Sequence, residues 1–331
     1  METQLPPEVS VVIPTYNGQK LLKTCLESVY QMNGVRFEVI VVDNGSVDNT
    51  KQFIAECFPQ VRGIFLAGNY GFAKAVNVGI ESSRGKYIAL LNNDTEVDPG
   101  WAAVLKNSLD EDSSVGFCAS KMLNFHLRQI MDGAGDMYFR NGNAYRLGWG
   151  LRDSPAFNQS FRVFGACAGA AMYRRSMLDD IGWLDEDFFL YYEDVDLNFR
   201  AQLLGYQCKY VPGAVVYHIG SATTGSTINK ITVFYSCRNA VFVLLKNCPL
   251  AYFKKNMKRI IGAQTRHLFG FLRASIRIFC YAFGGYCSAF WSAPRFLRKR
   301  KAIQEKRKVS DDYIHDLLLH CEELMKVHDK R

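Results

Sequence analysis

The stretch YIALLNNDTEVDPGW, residues 87–101, carries an apolar run straight into two carboxamides and a carboxylate: Asn92, Asn93 and Asp94. A buried strand gains nothing from a charge at its end unless a partner or ligand meets it there. Asp98-Pro99-Gly100-Trp101 reads as a turn and helix start. Further along, YYEDVDLNFR places Glu193, Asp194 and Asp196 within four positions. Such acids cap a helix through its dipole. One of them, crowded by like charges, also has its pKa raised toward the range of a general base. Asp196 and Arg200, spaced i,i+4, read as a surface ion pair. His218 closes the strand-like run KYVPGAVVYHIG, ahead of Gly220, Ser221 and Thr223. A lone histidine is usually structural, but beside a metal-binding carboxylate it is a candidate third ligand.

The surrounding pattern explains how these groups could be positioned. VSVVIP, FEVIVVD, VRGIFLAG and KYIALLNND are short apolar runs separated by segments with helical spacing. That alternation predicts a parallel sheet covered on both faces, a doubly wound α/β domain with right-handed crossovers. The four runs end in Pro14-Thr15-Tyr16-Asn17, Asp43-Asn44-Gly45-Ser46, Gly68-Asn69-Tyr70-Gly71 and Asn92-Asn93-Asp94. Parallel strands bring these ends to one rim, where ligands of such sheets bind. Residues 120–160 read as loops or a short hairpin, and VFGACAGAAMYRRS as a small-residue strand approaching a ligand closely.

Neither G-x-G-x-x-G nor G-x-x-x-x-G-K-[ST] follows the first strand, so a glycine cradle is not the expected nucleotide site. An acidic strand end beside a diphosphate needs a divalent cation between them, and magnesium or manganese suits oxygen donors.

The chain has 331 residues, 48% hydrophobic and 22% charged, enough for a substantial core. Its start has no signal-peptide pattern, and its ten cysteines include no C-x-x-C pair, as in a reduced cytoplasmic protein. The net charge of +8 is uneven: residues 251–331 hold 18 Lys and Arg against 7 Asp and Glu. Residues 1–250 read as a globular domain, with a nucleotide-binding half to about 115 and a second half after it. Residues 251–331 read as a helical basic tail. Within it, Ile278–Ala293 is apolar over 16 residues, short of the roughly 20 that span a bilayer. An apolar, aromatic segment beside a basic cluster predicts contact with an anionic membrane surface. No nucleic-acid recognition motif accompanies the charge, so nucleic acid is not an expected partner. SDDYIHDLLLHCEELMKVHDKR reads as a final amphipathic helix.

Six segments in order, VVIPTYNG, VVDNGSVDNT, GNYGFAKAVNVGI, LLNNDTEVDPGW, GWLDEDFFLYYEDVDLNFR and VVYHIGSAT, resemble the family-2 glycosyltransferases of GT-A fold, particularly rhamnosyltransferase-like members. The resemblance implies that Pro14, Thr15, Tyr16 and Asp43 line a nucleoside pocket, and that Asn69, Gly71, Phe72, Asn77, Asn92 and Asn93 hold the nucleotide. Asp94 would end the family's D-x-D metal motif, with Asn92 in place of its first Asp, and His218 would complete the metal site. Asp194 would be the catalytic base, with Glu193 the second choice. The implied activity is inverting, metal-dependent transfer of a sugar, rhamnose foremost, from a nucleotide-diphosphate sugar to a cell-surface polysaccharide or lipid-linked glycan. The implied setting is peripheral, on the cytoplasmic face of the inner membrane. Two further readings remain at this stage: a nucleotidyltransferase that makes a nucleotide sugar, and a non-catalytic sugar-nucleotide or glycan-binding protein.

Overall fold

The computed structural model describes residues 5–220 and 229–328, so Ser221 and Thr223 lie outside the described residues. In chain order the first part contains β1 (Val9–Thr15), α1 (Gln19–Val29), β2 (Phe37–Asp43), α2 (Thr50–Cys57), β3 (Arg62–Phe65), α3 (Phe72–Ser82), β4 (Tyr87–Leu91), β5 (Thr95–Val97) and α4 (Trp101–Glu111). There follow β6 (Val115–Asn124), β7 (Met131–Gly133), β8 (Asp136–Tyr138), β9 (Ala144–Arg146), β10 (Phe161–Val163), β11 (Ala170–Arg174), α5 (Arg175–Ile181), α6 (Glu193–Leu203) and β12 (Gln207–His218). Four helices close the chain: α7 (Lys230–Asn247), α8 (Leu250–Ala274), α9 (Ile276–Lys306) and α10 (Asp311–His328).

The main sheet runs β10-β12-β6-β11-β4-β1-β2-β3. All residues of β1 and β4 are buried, which is what a continuous apolar run achieves between two helical layers. The strands β4, β1, β2 and β3 are mutually parallel, so their carboxyl ends do share one rim. The fold is therefore α/β, as expected of a GT-A domain, with helices at the carboxyl end of the chain. Its second half departs from helical crossovers. The small-residue strand β11 lies between β4 and β6, antiparallel to both. The region 120–160 contributes a hairpin, β8–β9.

One register relation matters for everything below. β12 pairs with β5 so that His218 lies opposite Thr95, and the Ile219 N–H donates to the Asp94 carbonyl at 3.0 Å. Residues remote in the chain are thereby brought side by side at one sheet edge.

The tail packs on the sheet domain. Phe296 of α9 stacks on Phe242 of α7 with ring centroids 3.7 Å apart. Tyr252, Ile260, Phe296 and Leu318 belong to the same hydrophobic core as Phe117 and Tyr173 of the sheet. The apolar stretch 278–293 lies inside α9, and no helix of the described residues is long and apolar enough to cross a membrane. Asp196 and Arg200 form the expected i,i+4 pair, at 2.9 Å, but it is not on the surface. Their side chains are buried, because α6 packs against α7, whose Lys246 and Asn247 both bond to Asp196.

Candidate active site

Asp94, His218 and Asp194 line one cavity of about 590 Å³, a volume typical of small-molecule sites. His218 Nε2 lies 3.3 Å from Asp94 Oδ1, and its other ring nitrogen lies 2.8 Å from Asp132 Oδ2. Arg146 in turn bonds Asp132 at 2.9 Å. Burial works against a charged imidazole, but the bonds to Asp132 and Asp94 prevail and raise the His218 pKa to about 9. Burial also resists charge on Asp132, yet His218 and Arg146 hold its carboxyl below the usual range.

Asp194 sits in the first turn of α6. Its carboxylate accepts from the backbone N–H of Ala168 at 3.2 Å and of Val195 at 2.8 Å. Burial raises its pKa, while those two donors and Arg146 moderate the rise. Glu193 is raised well above its usual value by burial and by the Asp194 charge, and its Oε2 has no hydrogen-bond partner among the described residues. Asp136, also on the wall, is raised to about 7 by burial and by Asp194, against the pull of Arg146.

The strand-end residues build the opposite wall. Pro14, Thr15, Tyr16, Asn69, Gly71, Phe72, Asn92 and Asn93 all line the cavity. Asn93 donates to the Thr15 hydroxyl at 2.8 Å, and Asn44 ties Asn69 at 3.0 Å and the Gly71 carbonyl at 3.1 Å. Two expected members stand behind this wall. Asn77 spends its amide on packing: it donates to the Leu184 carbonyl at 2.9 Å and accepts from the Leu184 N–H at 3.1 Å. The Asp43 carboxylate turns toward the Ser46 N–H, 3.0 Å away, and the Ser46 hydroxyl.

The remaining wall is the segment Phe189–Tyr192, where Phe189, Tyr191 and Tyr192 all have positive φ. Side chains in that region are strained, and such strain persists only where neighbours fix it. Asn239 of α7 donates to the carbonyls of Phe188, Leu190 and Tyr191, and the Phe72 N–H donates to the Phe189 carbonyl at 2.7 Å.

The sequence profile of glycosyl transferase family 2 matches residues 10–182, just over half of the chain. The chain belongs to that family. As a family-2 glycosyltransferase it is 36% identical over 115 residues to YibD, an uncharacterized glycosyltransferase of Escherichia coli, a match spanning 34% of this chain and 33% of that protein. It is 28% identical over 243 residues to N-acetylglucosaminyl-diphospho-decaprenol L-rhamnosyltransferase of Mycobacterium tuberculosis, covering 65% of this chain and 77% of that one. Among solved structures, GalNAc-T7 with UDP, GalNAc and Mn2+ aligns with a TM-score of 0.61 at 15% identity, over 89% of this chain and 57% of that one. S. aureus TarS 1-349 in complex with UDP-GlcNAc aligns with a TM-score of 0.58 at 15% identity, over 98% of this chain and 92% of that one. These likenesses establish a shared fold.

The donor set at Asp94 and His218 fits a divalent cation. A carboxylate oxygen and an imidazole nitrogen face each other at the cavity wall, and Asp132 on the far ring nitrogen directs the Nε2 lone pair toward Asp94 once the ring is neutral. A second grouping, Asp136, Cys167 and Asp194, brings its donor atoms within 4.8 Å of one another. There the Arg146 guanidinium lies 3.1 Å from the Cys167 sulfur and already supplies positive charge. Asp132, Asp136 and Arg146 were not singled out in the sequence. They lie in a stretch, residues 120–160, that reads only as rich in Gly, Asn and Arg.

Proposed function

We propose that this family-2 glycosyltransferase transfers a sugar from a nucleotide-diphosphate donor to an acceptor hydroxyl with inversion, Asp194 acting as the base. The observation that carries the reading is the meeting of Asp94, His218 and Asp194 on one cavity. The wall from Pro14 to Asn93 would hold the nucleotide. Asp94 and His218 would hold magnesium or manganese, which when bound acts as a Lewis acid against charge on a departing diphosphate. Asp194, kept available by burial, would take the acceptor O–H proton as the acceptor oxygen bonds the anomeric carbon and the diphosphate leaves with the bonding electrons. The transition state has oxocarbenium character, and one displacement inverts the centre without an enzyme nucleophile.

The mycobacterial relative's name supports rhamnose and a lipid-linked glycan acceptor, and the resemblance to the rhamnosyltransferase-like subgroup adds a thymidine-diphosphate donor and a cell-surface polysaccharide as the alternative acceptor. Residues 251–331 would then meet an anionic membrane, which places the acceptor within reach on the cytoplasmic face. The test is a screen of nucleotide sugars for cation-dependent hydrolysis or transfer, with and without lipid-linked acceptors. Asp194→Asn should keep donor binding and lose transfer by a factor of about 10²–10⁴; equal transfer would remove Asp194 as the base.

A further inference from the structure

Helix α9 has two opposed faces. Ala282, Gly285, Ala289 and Phe296 are buried toward the protein, and a Cβ on Gly285 would meet the Phe234 carbonyl at 2.5 Å. The helical period places Ile276, Phe283, Cys287, Phe290, Trp291 and Leu297 on the other side. All six are exposed, Trp291 at 89% and Phe290 at 71%. Apolar residues scattered singly on a surface are ordinary; a continuous row of this length marks an interaction site. The row extends about 32 Å along the helix. Exposed cations bracket it, Arg277 at one end and Arg298 and Lys301 at the other.

The charges choose the occupant. A second copy laid along this row would bring like cations together at both ends, in either direction, and like-charge contacts are costly. An anionic bilayer satisfies both features, with aromatic and aliphatic groups at the acyl boundary and Lys and Arg on phosphates. The other face of α9 is occupied by protein, so the helix would lie in the membrane plane.

We propose that the Ile276–Leu297 face of α9 is the surface by which this enzyme docks on an anionic bilayer. The inference rests on the reading that residues 251–331 meet a membrane, and narrows it to one face of one helix. The same helix is tied to the segment that leads into the cavity wall. Lys299 bonds Asp185 and Asp187 at 2.6 Å each, next to the strained segment Phe189–Tyr192.

The test is flotation of the full chain with vesicles of phosphatidylglycerol and phosphatidylcholine, or of phosphatidylcholine alone. Binding is expected only with the anionic lipid. The Trp291 emission should shift to the blue on binding, identified by subtraction of Trp291→Phe. Phe283→Glu with Phe290→Glu should weaken binding at least about tenfold, and Arg298→Gln with Lys301→Gln should weaken it and reduce its salt sensitivity. Both pairs should hydrolyse donor in vesicle-free solution as the parent does, which reports an intact fold. Undiminished flotation of the Phe283→Glu, Phe290→Glu protein would overturn the assignment to this face while leaving membrane contact standing. No flotation of the parent chain would overturn both. A parent dimer that the same pair dissociates, without vesicle binding, would make the occupant a second copy and overturn the proposal.

Discussion

His218 Nδ1 lies 2.8 Å from Asp132 Oδ2, while Nε2 of the same ring faces Asp94 at 3.3 Å. The ring is thus gripped from behind by the short strand β7, and its front nitrogen faces Asp94 at the cavity wall. A carboxylate behind a ligating histidine fixes its orientation and tautomer, and loss of such a partner usually costs 10–100-fold in metal affinity. Asp132→Asn should therefore weaken manganese binding by about that factor. Titration of the ion by calorimetry or paramagnetic resonance, with no substrate present, checks this. Unchanged affinity would assign Asp132 to packing with Arg146 alone.

The two adjacent acids of α6 are distinguishable. Burial and the Asp194 charge favour the protonated form of Glu193, whose Oε2 has no hydrogen-bond partner among the described residues, whereas the Asp194 carboxylate has backbone donors at Ala168 and Val195. A group that stays protonated cannot accept a proton. Glu193→Gln, which preserves shape and neutrality, should leave kcat within a few-fold of the parent, whereas Asp194→Asn should lower it by about 10²–10⁴. Measured kcat values in the reverse order would exchange the two roles.

Some of this site was legible in the sequence and some was not. Asp94, Asp194 and His218 stood out because each ends or follows an apolar run, and their strands and helix are long enough for periodicity to register. The parallel order of β1 to β4 then implied a common rim. Asp132, Asp136 and Arg146 lie in β7, β8 and β9, each three residues long, where no period can be read. Their burial comes from contacts across the fold. Asn77 illustrates the opposite failure. The family resemblance implied a nucleotide contact for it, whereas the Leu184 backbone, distant in sequence, takes both ends of its amide. Asp196 was read as a surface acid because Lys246, which neutralises it, lies in another helix.

Gly71 connects the nucleotide wall to the strained segment. It has φ 88° and ψ 165°, a region that essentially only glycine occupies, and a Cβ there would sit 2.5 Å from the Phe189 carbonyl. Gly71→Ala should cost about 1–3 kcal/mol for the backbone conformation, and more where Phe189 cannot retreat. The denaturant midpoint reads the stability, and donor titration reads the wall. Both should fall together, because the Phe72 N–H holds Phe189 at the same point.

Beneath that segment lies a buried charge cluster. Lys246 bonds Asp185 at 2.7 Å and Asp196 at 2.8 Å, and Asp196 also takes Arg200 at 2.9 Å. Burial opposes charge on both acids, but Lys246 leads the groups that hold their carboxyls below the ordinary value. Depressed carboxyls stabilise the fold fully above the unfolded-state pKa of about 3.9, and that contribution disappears as pH falls through the lower folded values. The cluster's share of the urea midpoint should thus hold steady from pH 7 to about 5 and fall below about 4, superimposed on the gain with falling pH that the raised carboxyls of Asp136 and Glu193 add above about 4. Lys246→Met should cost about 3–5 kcal/mol at pH 7, since it strands Asp185 and Asp196 with less compensation. Because that variant lets both carboxyls rise toward their unfolded-state value, its acid-side loss should be shallower than the parent's. A parallel pair of pH curves would show that Arg200 and Lys299 carry the compensation without Lys246.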